Sequence, residues 1–332
     1  MAGTGGFQTQ AYNQPVMAVA GDFASQNPYF SYDAGPGGLL AGANGVTIGA
    51  FAWAAFPPDS DGTPALVSNT PAGVAKTTGS LFGPPAGFVH RAQQALITTF
   101  LADASMVIPQ GFPVTLMTGG DFWVVNNGTT DAQMGQKVFA SVTNGLASMA
   151  ASGSYPANVA GTSATVGTTA VTVTASINGN ILTVAAITAG AVYPGAVLAS
   201  PGAGAVVQLL SGTPTGTATY LLSVGEQSVT ATQIVGNMSI LTIPGLSGTQ
   251  TVPFSVGQVV FGGGLPAIPP VMIAYSISGS GAGVTQTMVL NNPSVTVTAT
   301  TINGSNSVET KWWVQSTGLT GELVKITDHP PS

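Results

Sequence analysis

From Val171 the chain reads VTVTASINGNILTVAAI, apolar positions alternating with small polar ones at the two-residue period of a half-buried β-strand. Asn178-Gly179 interrupts the alternation, and Asn-Gly supplies the positive φ angles of a type I′ turn, so two strands are predicted around it. Upstream, GVTIGAFAWA from Gly45 and GFPVTLMTGGDFWVV from Gly111 read as strands broken by Gly and Pro. KVFASVTNGLASMAA from Lys137 reads as a hairpin about Asn144-Gly145. Arg91 to Ala104 is the one stretch where a helix is plausible, and its Thr98-Thr99 pair fits a strand equally well. Pro57 to Gly87, rich in Pro and Gly with turn signals at Asp61-Gly62 and Ser68-Asn69, is predicted to be a long surface loop. The pattern predicts an all-β chain.

The central region also resembles itself. INGNILTVAAI from Ile177 matches VGNMSILTIPGL from Val235, VYPGAVL from Val192 matches FSVGQVV from Phe254, and SVTATQIVGN from Ser228 matches SVTVTATTING from Ser294. The matches recur in one order, which predicts two tandem β modules, residues 168–236 and 237–304. Each is small, and with no cysteine to staple it should pack on its twin or on a neighbouring chain.

Charge sharpens this division. Of 332 residues 44% are hydrophobic and only 5% charged, against roughly a quarter in ordinary soluble domains. Ten of the eleven acidic residues and all five basic ones lie outside Val138–Thr300, leaving Glu226 alone inside it. Lys76, Arg91, Lys137, Lys311 and Lys325 are scattered and the net charge is −6, so nucleic-acid binding is not expected, because phosphate affinity scales with the phosphates that Lys and Arg neutralise. Mean hydropathy is +0.40, yet the longest apolar candidate, Val46 to Phe56, falls short of the roughly 18 residues a membrane helix needs. The start, MAGTGGFQTQAYNQ, has neither the basic nor the apolar part of a signal peptide, and synthesis in the cytoplasm is expected.

Catalytic chemistry finds few candidates. His90, beside Arg91, is expected to be a structural pair anchoring a strand, and His329 a solvated tail residue. No nucleophile elbow, triad or phosphate loop can be nominated; Gly262-Gly263-Gly264 lacks a following Lys-Ser/Thr and reads as a strand connection. Asp59-Ser60-Asp61-Gly62 opens like a calcium loop but has no Glu at the twelfth position, and a polar turn explains it better. Asp121 and the Trp312-Trp313 pair could line a sugar-binding cleft, though aromatics on strands are more often core or interface anchors. A β-solenoid hydrolase would need clustered carboxylates in the central region, which has almost none. A chain that exists to make contacts is the reading left, since burying unpaired charge is costly. No enzyme activity, cofactor or metal is expected.

Three segments, Val19 to Trp53, Gly87 to Gly128 and Met134 to Ala151, resemble the structural cement, or capsid decoration, proteins of tailed bacteriophages, and Val308 to Ile326 resembles the family's closing strands. The resemblance implies a β-barrel or β-sandwich capsid-binding domain made of residues 15–160 plus 305–332, with both modules inserted before the C-terminal strands as a projection, and an N-terminal arm of residues 1–14. It implies a non-enzymatic virion protein on the outer capsid surface, with the major capsid protein and further copies of itself, as dimer or trimer at local symmetry axes, as partners. Phe7, Tyr12, Phe30, Trp53, Phe122, Trp123, Trp312 and Trp313 are the candidate capsid or oligomer contacts. The alternative is a head fibre or adhesin that binds host surface or glycans through exposed Tyr193, Tyr220 or Tyr275.

Overall fold

The computed structural model describes residues 18–32, 38–54, 65–74, 83–91, 105–156, 159–201, 204–224, 227–244, 254–266, 270–279 and 284–329. Residues 1–14, expected to form an arm and holding Phe7 and Tyr12, and the Arg91–Ala104 segment beyond Arg91 lie outside these residues. The described chain is almost entirely β, as the alternation predicts.

The first part contributes β1 (Phe30–Tyr32), β2 (Leu39–Ala41), β3 (Val46–Thr47), β4 (Phe51–Ala54), β5 (Ala65–Ser68), β6 (Gly87–Val89), β7 (Val107–Ile108), β8 (Leu116–Gly119), β9 (Asp121–Val125), β10 (Lys137–Ser141) and β11 (Ala147–Ala150). The segment predicted as a long loop therefore holds β5 and a short 3-10 turn, Pro71–Val74. Ala65, Val67 and Ser68 are buried, so the ALVS run finds a sheet partner that the surrounding Pro and Gly obscure. The central region forms β12 (Val159–Gly179), β13 (Ile181–Ala189), β14 (Val197–Ser200), β15 (Gly204–Gly212), β16 (Ala218–Leu222), β17 (Gln227–Ile243), β18 (Val259–Phe261), β19 (Val271–Ser278), β20 (Gln286–Leu290) and β21 (Val297–Ser305). The chain then closes with β22 (Ser307–Val314) and β23 (Leu323–Thr327).

Two sheets make the body. One runs β1-β8-β6-β4-β5-β2, and the other β11-β10-β22-β23-β9, so the C-terminal strands sit inside a sheet begun by the N-terminal part. The sheets pack face to face through aromatic side chains: Phe51 lies 5.3 Å from Trp312 and Phe88 4.8 Å from Phe122, ring centre to ring centre. The hairpin about Asn144-Gly145 forms as predicted, with Ala140 opposite Ala147.

The central strands close into one barrel, β12-β13-β16-β15-β14-β17-β20-β19-β18-β21, and an extra pairing of β12 with β17 divides it into two six-stranded circuits. Every pairing of the first circuit has a counterpart in the second when β13, β14, β15, β16 and the first half of β17 are set against the second half of β17, β18, β19, β20 and β21. The three matched sequence pairs fall on strands related in this way. The positions marking the predicted module ends, Thr168 and Gly236, lie within β12 and β17. The hairpin after β12 pairs Asn178 with Ile181, so its central residues are Gly179-Asn180, one position later than the Asn-Gly signal, with Gly179 at φ +63°.

The shared β12–β17 ladder is unbroken from Thr165–Thr242 to Ala175–Thr232. Along it the buried side chains change parity: Ala164 and Val166, with Leu241 and Ile243, fill the second circuit, and Val171, Val173 and Ala175, with Ile234 and Met238, fill the first. Side chains alternate faces strictly along a strand. A parity change without a bulge therefore puts the two interiors on opposite faces of one ribbon. The second circuit also docks on the body, where Val259 and Met272 join the core of Phe139 and Trp312.

Candidate functional site

Strand β1 is the outermost strand of its sheet, and all three of its residues are exposed. Pro28 precedes three aromatic residues in four positions, and Tyr29, Phe30 and Tyr32 are 56%, 63% and 51% exposed. Scattered single apolar residues on a surface are ordinary, whereas here three large aromatics stand exposed within four positions at a sheet edge. Below them lies a cavity of about 360 Å³ bounded by Tyr32, Pro84, Pro85, Thr118, Glu309 and Lys311, with Trp312 also lining it.

The edge is rooted in a buried polar cluster. Residues 21–24 bond to β9 through Gly21 N–H to Trp123 O, Trp123 N–H to Asp22 O and Ala24 N–H to Asp121 O. The fully buried Asp121 carboxylate accepts from the Ser25 hydroxyl at 2.6 Å and the Asn27 amide at 2.8 Å, both on Oδ2, with Lys325 Nζ at 4.0 Å. Burial raises its pKa, but the hydrogen bond from Ser25, the Thr327 hydroxyl nearby, the hydrogen bond from Asn27 and the charge of Lys325 outweigh this and hold it below the ordinary value. Asp121 Oδ1 accepts no hydrogen bond and faces His329 Nδ1 at 3.9 Å. His329 Nδ1 is 3.1 Å from Asp328 Oδ1, which also accepts the Gly120 amide at 2.9 Å. His329 is exposed, as expected, and sits at the rim of this cluster.

On the far side of the same segment, His90 Nδ1 donates to Gly21 O at 2.7 Å, and Arg91 pairs with Asp22 at 3.5 Å. Burial lowers the His90 pKa, more than the Gly21 bond and Asp22 raise it. The pair anchors residues 21–22, in keeping with its predicted structural role.

The nominated contacts divide by burial. Trp53, Phe122 and Trp312 are core residues of this chain: Trp312 is packed on Phe51 and donates Nε1–H to Gly120 O at 3.3 Å. These three are closed to a partner, because the two sheets already bury them against each other. Trp123 and Trp313 are half-buried, and Trp313 lies under the Lys137 ammonium at 4.0 Å. Phe30 alone of the described candidates is strongly exposed. Its neighbours Tyr29 and Tyr32 are not among the contacts that the sequence points to, although the cluster YFSY after a proline is a signal for them.

Two other expectations change. A sugar cleft between Asp121 and the Trp pair does not form, since Asp121 and Trp312 are both buried. The tyrosines proposed to hold a ligand are not exposed rings: Tyr220 fills the first barrel and donates to Val192 O at 2.8 Å, while Tyr193 and Tyr275 stack, centres 5.2 Å apart, where the barrels meet. Among the described residues no helix is long and apolar enough to cross a membrane.

Residues 7–235 match the family model of the XM1 gp53 minor capsid protein. The chain belongs to this minor capsid protein family. It is a phage structural protein associated with the capsid of the virion. The matched stretch takes in the aromatic edge, Asp121 and the first barrel circuit, and ends within β17. No individually curated protein matches the sequence.

Proposed function

We propose that this minor capsid protein is a cement or decoration protein, binding the outer surface of the major capsid protein shell through its two-sheet body and stabilising the shell. The observation that carries the reading is the run Tyr29-Phe30-Tyr32, more than half exposed on an edge strand rooted by buried hydrogen bonds. Rigid aromatic anchors of this kind dominate the free energy of protein interfaces. A sheet edge also offers unpaired backbone groups to a partner strand.

In this reading residues 15–160 and 305–332 form the capsid-binding domain, and residues 168–236 and 237–304 are duplicated modules carried as a projection. The equivalent strand pairings of the two circuits support the duplication. Residues 1–14 act as an arm along a neighbouring subunit, and copies of the chain assemble at local symmetry axes, where several weak contacts add by avidity.

Electron microscopy of intact particles tests this. The expected image has the body seated on the outer face of the major capsid protein, β1 towards the shell and the barrels outward. Density for the chain inside the shell or in the tail would overturn it.

A further inference from the structure

We propose that Asp121, Asp328 and His329 form a binding site for a divalent first-row transition-metal ion, of the zinc or manganese class, at the root of the aromatic edge. One ligand atom from each lies within 4.8 Å of the others. Donors about 2.0–2.2 Å from one ion lie at most roughly 4.4 Å apart; the separations of His329 Nδ1 from Asp328 Oδ1, 3.1 Å, and from Asp121 Oδ1, 3.9 Å, meet this as they stand, and the two carboxylates, within 4.8 Å, would need to close by no more than a few tenths of an ångström.

The independent observation is the orphaned oxygen. The Asp121 side chain is 0% exposed, its Oδ2 is satisfied by Ser25 and Asn27, and Oδ1 has no hydrogen bond, although it points into the cluster. A buried carboxylate oxygen without a hydrogen bond costs free energy that an ion would recover. Charge agrees. Two carboxylates face one ammonium, that of Lys325, which sits on the Oδ2 side at 4.0 Å and leaves the Oδ1 side to His329. The mixed N,O donor set favours a transition ion over calcium or magnesium, which prefer oxygen alone.

The backbone is cut to fit. At Gly119 a Cβ would come within 2.6 Å of Asp328 Oδ2, so a larger residue there would push that carboxylate aside. Gly120 adds the amide that orients Asp328. Since the His329 ring is 53% exposed, the site is open to ions from solvent. A bound ion would fasten the end of the chain to β9 and, through Ser25 and Asn27, to the residues that lead into Tyr29 and Phe30.

The test uses the untagged full chain with EDTA removed, titrated calorimetrically with Zn²⁺, Mn²⁺, Ca²⁺ and Mg²⁺, with thermal unfolding followed in parallel. One Zn²⁺ or Mn²⁺ per chain is expected, with a rise in Tm reversed by EDTA. His329→Gln and Asp328→Asn lie beyond the last strand and should fold normally; each should weaken that binding roughly tenfold or more. Absence of binding up to millimolar Zn²⁺ or Mn²⁺, or binding that both variants leave unchanged, would overturn the proposal. So would a preference for Ca²⁺ or Mg²⁺ that His329→Gln does not alter.

Discussion

The Phe51 amide in β4 donates to the Gly145 carbonyl at 2.8 Å, joining the hairpin turn of one body sheet to the central strand of the other. Asn69 completes the junction, its Nδ2 donating to Phe51 O at 2.9 Å and its Oδ1 accepting from Thr47 N–H at 2.6 Å. Gly145 sits at φ +72°, and a Cβ there would overlap the Phe51 carbonyl oxygen. Gly145→Ala should therefore destabilise the chain by about 1–3 kcal/mol from strain and overpacking combined. Urea unfolding measures it, and an unchanged midpoint would contradict this account of the junction.

Trp312→Ala should cost more, about 3–5 kcal/mol, because it empties a fully buried site between the sheets and leaves the Gly120 carbonyl without its indole donor. The same denaturation experiment checks it. A loss below 1 kcal/mol would mean that the body core closes over the gap.

Asp121 predicts acid sensitivity. Its folded pKa lies below the ordinary aspartate value of 3.8, so its contribution to stability is complete above that value and is lost as pH falls through the lower folded pKa. His90 acts with the same sign at higher pH: its folded pKa lies below 6.5, so stability present above 6.5 is lost as pH falls through the folded value. Tm should thus decline from pH 8 towards pH 5 and again below pH 4. Asp121→Asn should flatten the acid limb and His90→Gln the neutral one, and identical profiles in wild type and variants would refute both assignments.

Phe30→Ser should leave the fold intact, since the side chain projects from an edge strand into solvent. Surface changes of this kind usually shift stability by no more than about 0.5 kcal/mol. Capsid affinity should fall by about 2 kcal/mol or more if the edge is a contact hot spot. Sedimentation of the purified variant with shells lacking the protein gives the comparison, and wild-type occupancy would remove β1 from the interface.

The β class, the Asn144-Gly145 hairpin and most strand positions were legible because each depends on residues close in sequence: a two-residue alternation and a turn that needs positive φ. Contact residues were not. Trp53, Phe122 and Trp312 read like Phe30 in isolation, yet the first three join one core cluster between the sheets while Phe30 lies on a strand with no further neighbour among the described residues. Asp121 and Asp328 stand more than two hundred positions apart in sequence and approach only because β23 pairs with β9. No local pattern encodes that proximity.

The barrels show the division best. Alternation alone determined that β12 and β17 would be strands: VTVTASI sets its apolar residues at odd positions of β12, and SILTI sets Leu241 and Ile243 at odd positions of β17 beside Ile240 at an even one. Only the tertiary structure decided that the ribbon they form buries opposite faces at its two ends. Antiparallel register sets Val166 opposite Leu241 and Val173 opposite Ile234, and the strict pleat sends those two pairs to opposite sides. Which side meets a barrel at each point depends on the strands that pack there from elsewhere in the chain.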